Sequence, residues 1–60
     1  MTEEQIVKWM RERVKSNGFT DAASLAREFL DSHKITNVLD PEFSRTMDAG
    51  FRIAKEVYSL

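Results

Sequence analysis

The sequence has no cysteine, and it has only one histidine, one proline and two glycines. Without cysteine the chain forms neither a disulfide nor a thiolate metal site, and its carboxylates show no zinc or calcium spacing. No apolar run approaches the roughly 20 residues that a membrane-spanning helix needs. Acidic residues follow the first methionine, where a secretion signal would carry basic ones. These absences predict a soluble cytoplasmic protein without cofactor, metal or membrane contact.

Neither sign of charge dominates, because nine lysines and arginines face ten acidic residues and leave a net charge of −1. Proteins that bind nucleic acid are usually basic, so this balance disfavours that class. Sixty residues make one domain at most, and so short a chain buries only about 60% of its unfolded surface. Since neither disulfides nor metals stabilise the chain, its stability must come from a well-packed helical core, from self-association or from both.

The apolar residues recur with helical period along the whole chain. This pattern predicts an all-α, compact three-helix domain over residues 1–60, with helices at about 3–16, 21–33 and 41–58. The expected helix starts carry capping residues: Thr2 with Gln5 as a capping box, Thr20 or Asp21, and Asp40 before Pro41.

The first helix is expected to end at Gly18 in a Schellman motif, with the glycine in the left-handed conformation and Phe19 on Val14. The segment ITNVL, residues 35–39, is too short for an independent strand. We expect it to form an ordered loop that tucks its apolar side chains under the helices.

A glycine inside the third helix, Gly50, costs about 1 kcal/mol relative to alanine. Close helix packing is the simplest reason for it, and we expect Gly50 to lie under Phe29 or Trp9. In the second helix, Ala22 and Ala26 are small enough to let a neighbouring helix approach.

Each helix carries an apolar stripe that is expected to face the core. The stripes are Ile6, Val7, Trp9, Met10 and Val14 on the first helix; Ala22, Leu25, Ala26, Phe29 and Leu30 on the second; and Phe43, Met47, Phe51, Ala54 and Tyr58 on the third. Because the first and third stripes are wide, we expect edge residues such as Val7, Ile53 and Leu60 to remain partly outside. A surplus of apolar surface favours a partner or a dimer.

Catalysis has little support in the sequence, and we expect no enzyme. His33 is the only conventional base, and the side chain of its neighbour Ser32 points about 100° away on a helix. No phosphate-binding loop or nucleophile elbow is present. We expect His33 to cap the C-terminus of the second helix with a partly packed ring.

The stretch SLAREFL, residues 24–30, has the leucine-alanine pairing that first helices of helix-turn-helix motifs often show. In such a motif the recognition helix follows after three or four residues, often with a glycine. Here the segment DSHKITNVLD intervenes and contains no glycine. The basic residues on the outer arc of the third helix are also interleaved with acids: Arg45, Arg52 and Lys55 with Asp48 and Glu56. A DNA-reading helix is therefore disfavoured.

The motif NGF, residues 17–19, and the alanine-rich amphipathic helix after it resemble ubiquitin-associated domains. Those domains are three-helix modules with a Met-Gly-Phe loop after the first helix. Asn17 stands where they carry methionine, the third helix is longer here, and the second loop differs. The resemblance covers only these few residues and assigns no family.

The leading functional interpretation is a small non-enzymatic regulatory or adaptor module, of a kind found in bacteria and phages. It would bind another protein through an apolar helical face with a basic rim. The expected contacts are Trp9, Val7 and Ile53 on the face and Lys8, Arg11 and Lys15 on the rim. The sequence is also compatible with Trp9 as a residue at the edge of the core, and with the basic rim as a face that only contacts solvent.

Two alternatives stay open. The first is a dimeric DNA-binding regulator of helix-turn-helix-like type, which would use the same rim or Arg45, Arg52 and Lys55 and would bind with a strong salt dependence. The second is a structural homo-oligomer, whose stability would depend on concentration.

Overall fold

The computed structural model describes residues 1–59, and this part of the chain contains three helices and no strand. Helix α1 spans Glu3–Asn17, α2 spans Ala22–Ser32 and α3 spans Pro41–Tyr58. The predicted all-α three-helix fold is confirmed, and each predicted boundary agrees within one residue. Leu60, one of the expected edge residues, lies outside the described residues. None of the helices in residues 1–59 has the length and apolarity that crossing a bilayer requires.

Capping side chains begin all three helices. In α1 the amide of Gln5 donates to the Thr2 hydroxyl at 3.3 Å, and the Thr2 amide donates to the Gln5 side chain at 2.9 Å. The predicted capping box is therefore confirmed. In α2 the cap is Asp21, whose carboxylate accepts from the Ser24 amide at 2.7 Å. Asp40 caps α3 ahead of the proline at its first position.

Helix α3 is the central element, because it packs along both other helices while α1 and α2 meet each other at fewer points. Helix α1 runs in the same direction as α3: Arg52 reaches the start of α1, and Phe19 after its end packs edge to face on Tyr58. Helix α2 runs the opposite way and places its first turn against the middle of α3.

The contact between α2 and α3 is closest at Gly50. A Cβ on Gly50 would lie 3.0 Å from the Ala22 carbonyl oxygen and 3.6 Å from the Ala26 Cβ. The expected close packing at this glycine is confirmed. The predicted neighbours, Phe29 or Trp9, are wrong. Gly50 instead lies against the two small alanines of α2.

The core lies where the three helices meet. Its buried apolar residues are Ile6, Val7 and Met10 of α1, Leu25, Ala26 and Phe29 of α2, and Ala49 and Ile53 of α3. Thr46 is also fully buried, and its hydroxyl donates to the Glu42 carbonyl at 2.6 Å. This bond satisfies the one polar side chain in the buried set of the described residues.

The predicted inward face of α3 is wrong in part. Phe51 and Tyr58 are 56% and 73% exposed, whereas Ile53 is 2% exposed. Two positions apart on a helix, Phe51 and Ile53 point about 160° away from each other. The centre of the buried face is formed by small or β-branched residues, since α3 must fit between two helices: Thr46, Ala49, Gly50 and Ile53. The larger side chains are displaced to one side.

Helix α2 ends in a Schellman motif without glycine. The Ile35 amide donates to the Leu30 carbonyl at 2.9 Å, and the Lys34 amide donates to the backbone carbonyl of Asp31 at 3.3 Å. Lys34 takes the left-handed position with φ of 56°. The motif thus turns Ile35 back onto the last turns of α2.

The Schellman motif predicted at the end of α1 does not form as expected. Gly18 has φ of 82° and ψ of 177°, and its own amide bonds to the Val14 carbonyl at 2.8 Å. The extended ψ leads the chain away from α1. Phe19 then packs against Tyr58 with ring centroids 5.8 Å apart.

The loop before α3 agrees with its prediction only at Ile35, which packs against the core. Val38 and Leu39 are exposed, contrary to the expected tucked position. The Leu39 amide donates to the Asn37 side chain at 3.0 Å, and the Asp40 amide to the Asn37 carbonyl at 3.0 Å. This turn at Asn37 holds both apolar side chains outward.

Candidate functional site

A groove of about 500 Å³ lies between α2 and the first half of α3. Its apolar lining consists of Ala23, Leu30, Ile35, Phe43 and Met47. Its polar border consists of Ser24, Arg27, Asp31 and Thr36. Concave surfaces of this kind, mostly apolar with a few polar groups, are typical of binding sites.

The groove arises from how the local sequence sets the helix ends. The alanine-glycine contact fixes α2 against α3 at one end. At the other end the Schellman motif places Ile35 beside Leu30, opposite the half-buried Phe43 and Met47. The four side chains form an apolar wall of the groove, in which Leu30 is buried and the other three are half-buried.

The apolar surface continues along α3 beyond the groove. Phe51 and Tyr58 follow Met47 on the same side of the helix, and both are mostly exposed. We call this outward surface of Met47, Phe51, Ala54 and Tyr58 the α3 flank. The sequence does show the stripe to which it belongs. The residue spacing alone does not show that α2 leaves much of this stripe exposed instead of covering it.

Two of the predicted partner contacts are not on the surface. Val7 is 0% and Ile53 2% exposed, and both belong to the core, so the expectation that they form an exposed edge is wrong. They are buried because both lie in the core, where α1 packs along α3. Trp9 is half-buried at the core edge, and its ring meets Phe29 edge to face at 5.2 Å. Trp9, the third predicted apolar contact, therefore lies on the side where α1 meets α2, away from the groove.

The predicted basic rim is partly neutralised. Arg11 forms two hydrogen bonds with Glu56 of α3, Nη2 to Oε1 at 2.5 Å and Nε to Oε2 at 3.1 Å. The hydrogen bond from Arg11 lowers the pKa of Glu56, and the pKa of Arg11 is raised by the same bond. Lys8 and Lys15 are exposed and form no ion pair within residues 1–59. None of the three residues lines the groove.

The alternative nucleic-acid contacts are also largely paired. Arg52 Nη1 lies 2.7 Å from Glu3 and 2.9 Å from Glu4, and hydrogen bonds to Glu4 and Glu3 raise the pKa of Arg52. Arg45 pairs at 3.6 Å with the acid three residues before it. Only Lys55 of this set makes no ion pair in the described part of the chain. Of Arg45, Arg52 and Lys55, only Lys55 thus has no acidic partner within residues 1–59 and is available to an external anion.

His33 caps α2 as expected. Its ring stacks on Phe29 with centroids 4.0 Å apart, and Nδ1 lies 3.0 Å from the Phe29 carbonyl oxygen. Trp9 meets the same imidazole edge to face at 5.9 Å. In residues 1–59 no group of three or more histidines and carboxylates is arranged to hold a metal ion.

Comparison with known proteins finds no matching family model, no matching curated protein and no matching solved structure. The surfaces of the chain itself therefore carry the functional information, and the groove between α2 and α3 is a concave one with an apolar lining.

Proposed function

We propose that this protein is a small cytoplasmic regulatory or adaptor module that binds an amphipathic helical segment of another protein in the groove between α2 and α3. The observation that carries the proposal is the groove itself, whose five apolar lining residues are the exposed Ala23, the half-buried Ile35, Phe43 and Met47, and the buried Leu30. A helix laid between two helices is a common mode of peptide recognition, since its apolar stripe fills the groove.

The charges on the groove border define the partner's chemistry. Arg27 and Asp31 stand one turn apart on α2, and neither makes an ion pair within residues 1–59. A matching segment carries apolar residues at helical spacing, an acidic residue opposite Arg27 and a basic or amide residue opposite Asp31. Complementary rim charges set the orientation and speed of docking more than its strength.

Protein is favoured over nucleic acid because four of the nine lysines and arginines pair with acids, and the other five are divided among α1, α2, α3 and the turn after α2. Arg11 and Arg52 pair with acids of neighbouring helices, and the chain carries a net charge of −1. A nucleic-acid surface needs several unpaired cations on one face.

The test fills the groove without touching the core. Ala23 is exposed and lies in the first turn of α2, where a glutamate is compatible with the helix dipole. Ala23→Glu places a large charged side chain in the groove. Thr20→Glu adds the same charge near the same helix end but outside the groove, and serves as the matched control.

Tagged wild-type protein and both variants are used for affinity capture from host lysate, with nuclease and at moderate salt. We expect wild type and Thr20→Glu to retain the same protein and Ala23→Glu to lose it. A synthetic helical peptide from that protein, with the charge pattern above, should bind wild type and not Ala23→Glu.

Three results overturn the proposal. Recovery that disappears with nuclease identifies a nucleic-acid binder. Capture that survives Ala23→Glu but is lost with Lys8→Glu moves the site to the basic face of α1. Recovery of only the chain's own untagged copies leaves a homo-oligomer.

A further inference from the structure

The α3 flank has the spacing of a coiled-coil seam. Starting from Ser44, the intervals to Met47, Phe51, Ala54 and Tyr58 are three, four, three and four residues, which is the alternation of heptad positions a and d. All five lie within α3, which is helical from Pro41 to Tyr58. Phe51 is 56% and Tyr58 73% exposed, although Phe19 packs on Tyr58 and the half-buried Met47 contacts the core. Most of the surface of both rings is therefore uncovered within residues 1–59.

Two opposite charges accompany the seam at equivalent positions. Asp48 and Lys55 each follow a d residue directly, so they stand one heptad apart on the same side of the seam. Both are exposed, and neither forms an ion pair within residues 1–59. This differs from Arg11, Arg13 and Arg52, which are paired with acids of other helices.

We propose that two copies of this chain dimerise by packing their α3 flanks against each other in antiparallel orientation. In that arrangement a and d residues alternate across the interface. Phe51 meets Ala54 of the second copy and Met47 meets Tyr58 of the second copy, and the two-fold axis repeats both contacts. A large ring against a small methyl group gives the interdigitation that knobs-into-holes packing needs.

The charges select the antiparallel orientation. Between the two layers formed by these contacts, Asp48 of one copy faces Lys55 of the other, and the symmetry gives two such pairs. A parallel pairing would instead set Asp48 and Lys55 beside Phe43 and Gly50 of the other copy, where neither charge finds a partner, and it would put phenylalanine against phenylalanine. Charges beside a seam commonly decide partner and orientation in this way.

The dimer goes beyond groove binding and uses different residues. Met47 borders both surfaces, but Ala23, Leu30 and Ile35 belong to the groove alone. Ala23→Glu therefore leaves the seam intact, and changes at Asp48 leave the groove lining intact, so the two proposals fail separately. The seam spans four apolar layers, and we expect a weak dimer that forms in the micromolar to millimolar range.

A charge swap tests the orientation directly. Sedimentation equilibrium is measured for wild type, Asp48→Lys, Lys55→Asp and the double variant. Each single change turns both attractive pairs into repulsive ones and should raise the dissociation constant roughly tenfold. The double variant re-forms both pairs with reversed polarity and should return close to the wild-type value.

Glu12→Lys is the control, since it makes the same charge change on an exposed position of α1 and should leave dimerisation unchanged. Far-UV circular dichroism establishes that every variant retains its helices. A wild type that stays monomeric up to millimolar concentration overturns the proposal. So do single variants that dimerise as wild type does, or a double variant that stays as weak as the singles.

Discussion

The orientation of α3 is best tested by comparing two truncations that the sequence pattern and the structure rank in opposite order. On the stripe alone, Phe51 is a core residue and Ile53 an edge residue. In the structure Phe51 is 56% exposed and Ile53 is 2% exposed. We therefore expect Ile53→Ala to destabilise the protein far more than Phe51→Ala, although the phenylalanine is the larger side chain.

The magnitudes follow from burial. Truncating a buried isoleucine to alanine costs about 2–5 kcal/mol. Full burial of a phenylalanine is worth about 1.5–3 kcal/mol, so removing one that is half exposed costs roughly 1 kcal/mol. At 0.05–0.15 kcal/mol per residue, a 60-residue domain has about 3–9 kcal/mol of stability in total. Ile53→Ala thus removes a large share of it.

The assay is urea unfolding followed by circular dichroism and by the fluorescence of Trp9, at protein concentrations below the dissociation constant of the dimer, so that dimerisation does not contribute. If Ile53→Ala is too unstable to measure, Ile53→Val replaces it, with an expected loss of about 0.5–1.5 kcal/mol for a single carbon. A loss for Phe51→Ala of about 3–5 kcal/mol, as for a buried ring, would refute the orientation of α3.

Three further outcomes follow from the loops and ion pairs. Lys34→Gly should raise the free energy of unfolding by about 1 kcal/mol, because Lys34 holds φ of 56° at the Schellman position; no gain in urea midpoint would contradict this. Gly18→Ala should cost about 1–3 kcal/mol through backbone strain alone, since nothing lies within 4 Å of its added Cβ; an unchanged midpoint would count against it. The hydrogen bond from Arg11 lowers the pKa of Glu56, so the stability from this pair is complete above the usual glutamate pKa and is lost as the pH falls through the lowered one. In an NMR titration, Arg11→Gln should raise the Glu56 pKa, and an unmoved value would exclude this cause.

The sequence predicted the helices well because their ends depend on local chemistry. Thr2, Asp21 and Asp40 each accept a backbone amide within three residues, and such bonds need no tertiary contact. The close contact at Gly50 was also readable, since a glycine inside a helix needs a packing reason.

Which side of α3 faces inward could not be read in the same way. Two sets of residues share the helical period, and the larger ones gave the stronger apolar signal. The observed core uses Thr46 and Ala49 because α3 must fit between two helices, which only the tertiary packing reveals. The exposure of Phe51 follows from that packing.

The groove was missed for a related reason. It combines Leu30 of α2 and Ile35 of the loop with Phe43 of α3, and no spacing along the chain brings these together. The positive φ of Lys34 turns Ile35 onto the groove. Because this position is not a glycine, the sequence gives no sign of the left-handed conformation.

Photo-crosslinking from inside the groove tests the central claim most directly. A chain of 60 residues is accessible to chemical synthesis, and photo-leucine can replace Thr36, which is exposed, lines the groove and lies outside the α3 flank. A second preparation carries photo-leucine in place of Lys8, on the exposed basic face of α1. Irradiation in host lysate should join position 36 to a helical segment of another protein, while position 8 gives no such product. Crosslinks to a partner from position 8, with only intramolecular products from position 36, would contradict the account.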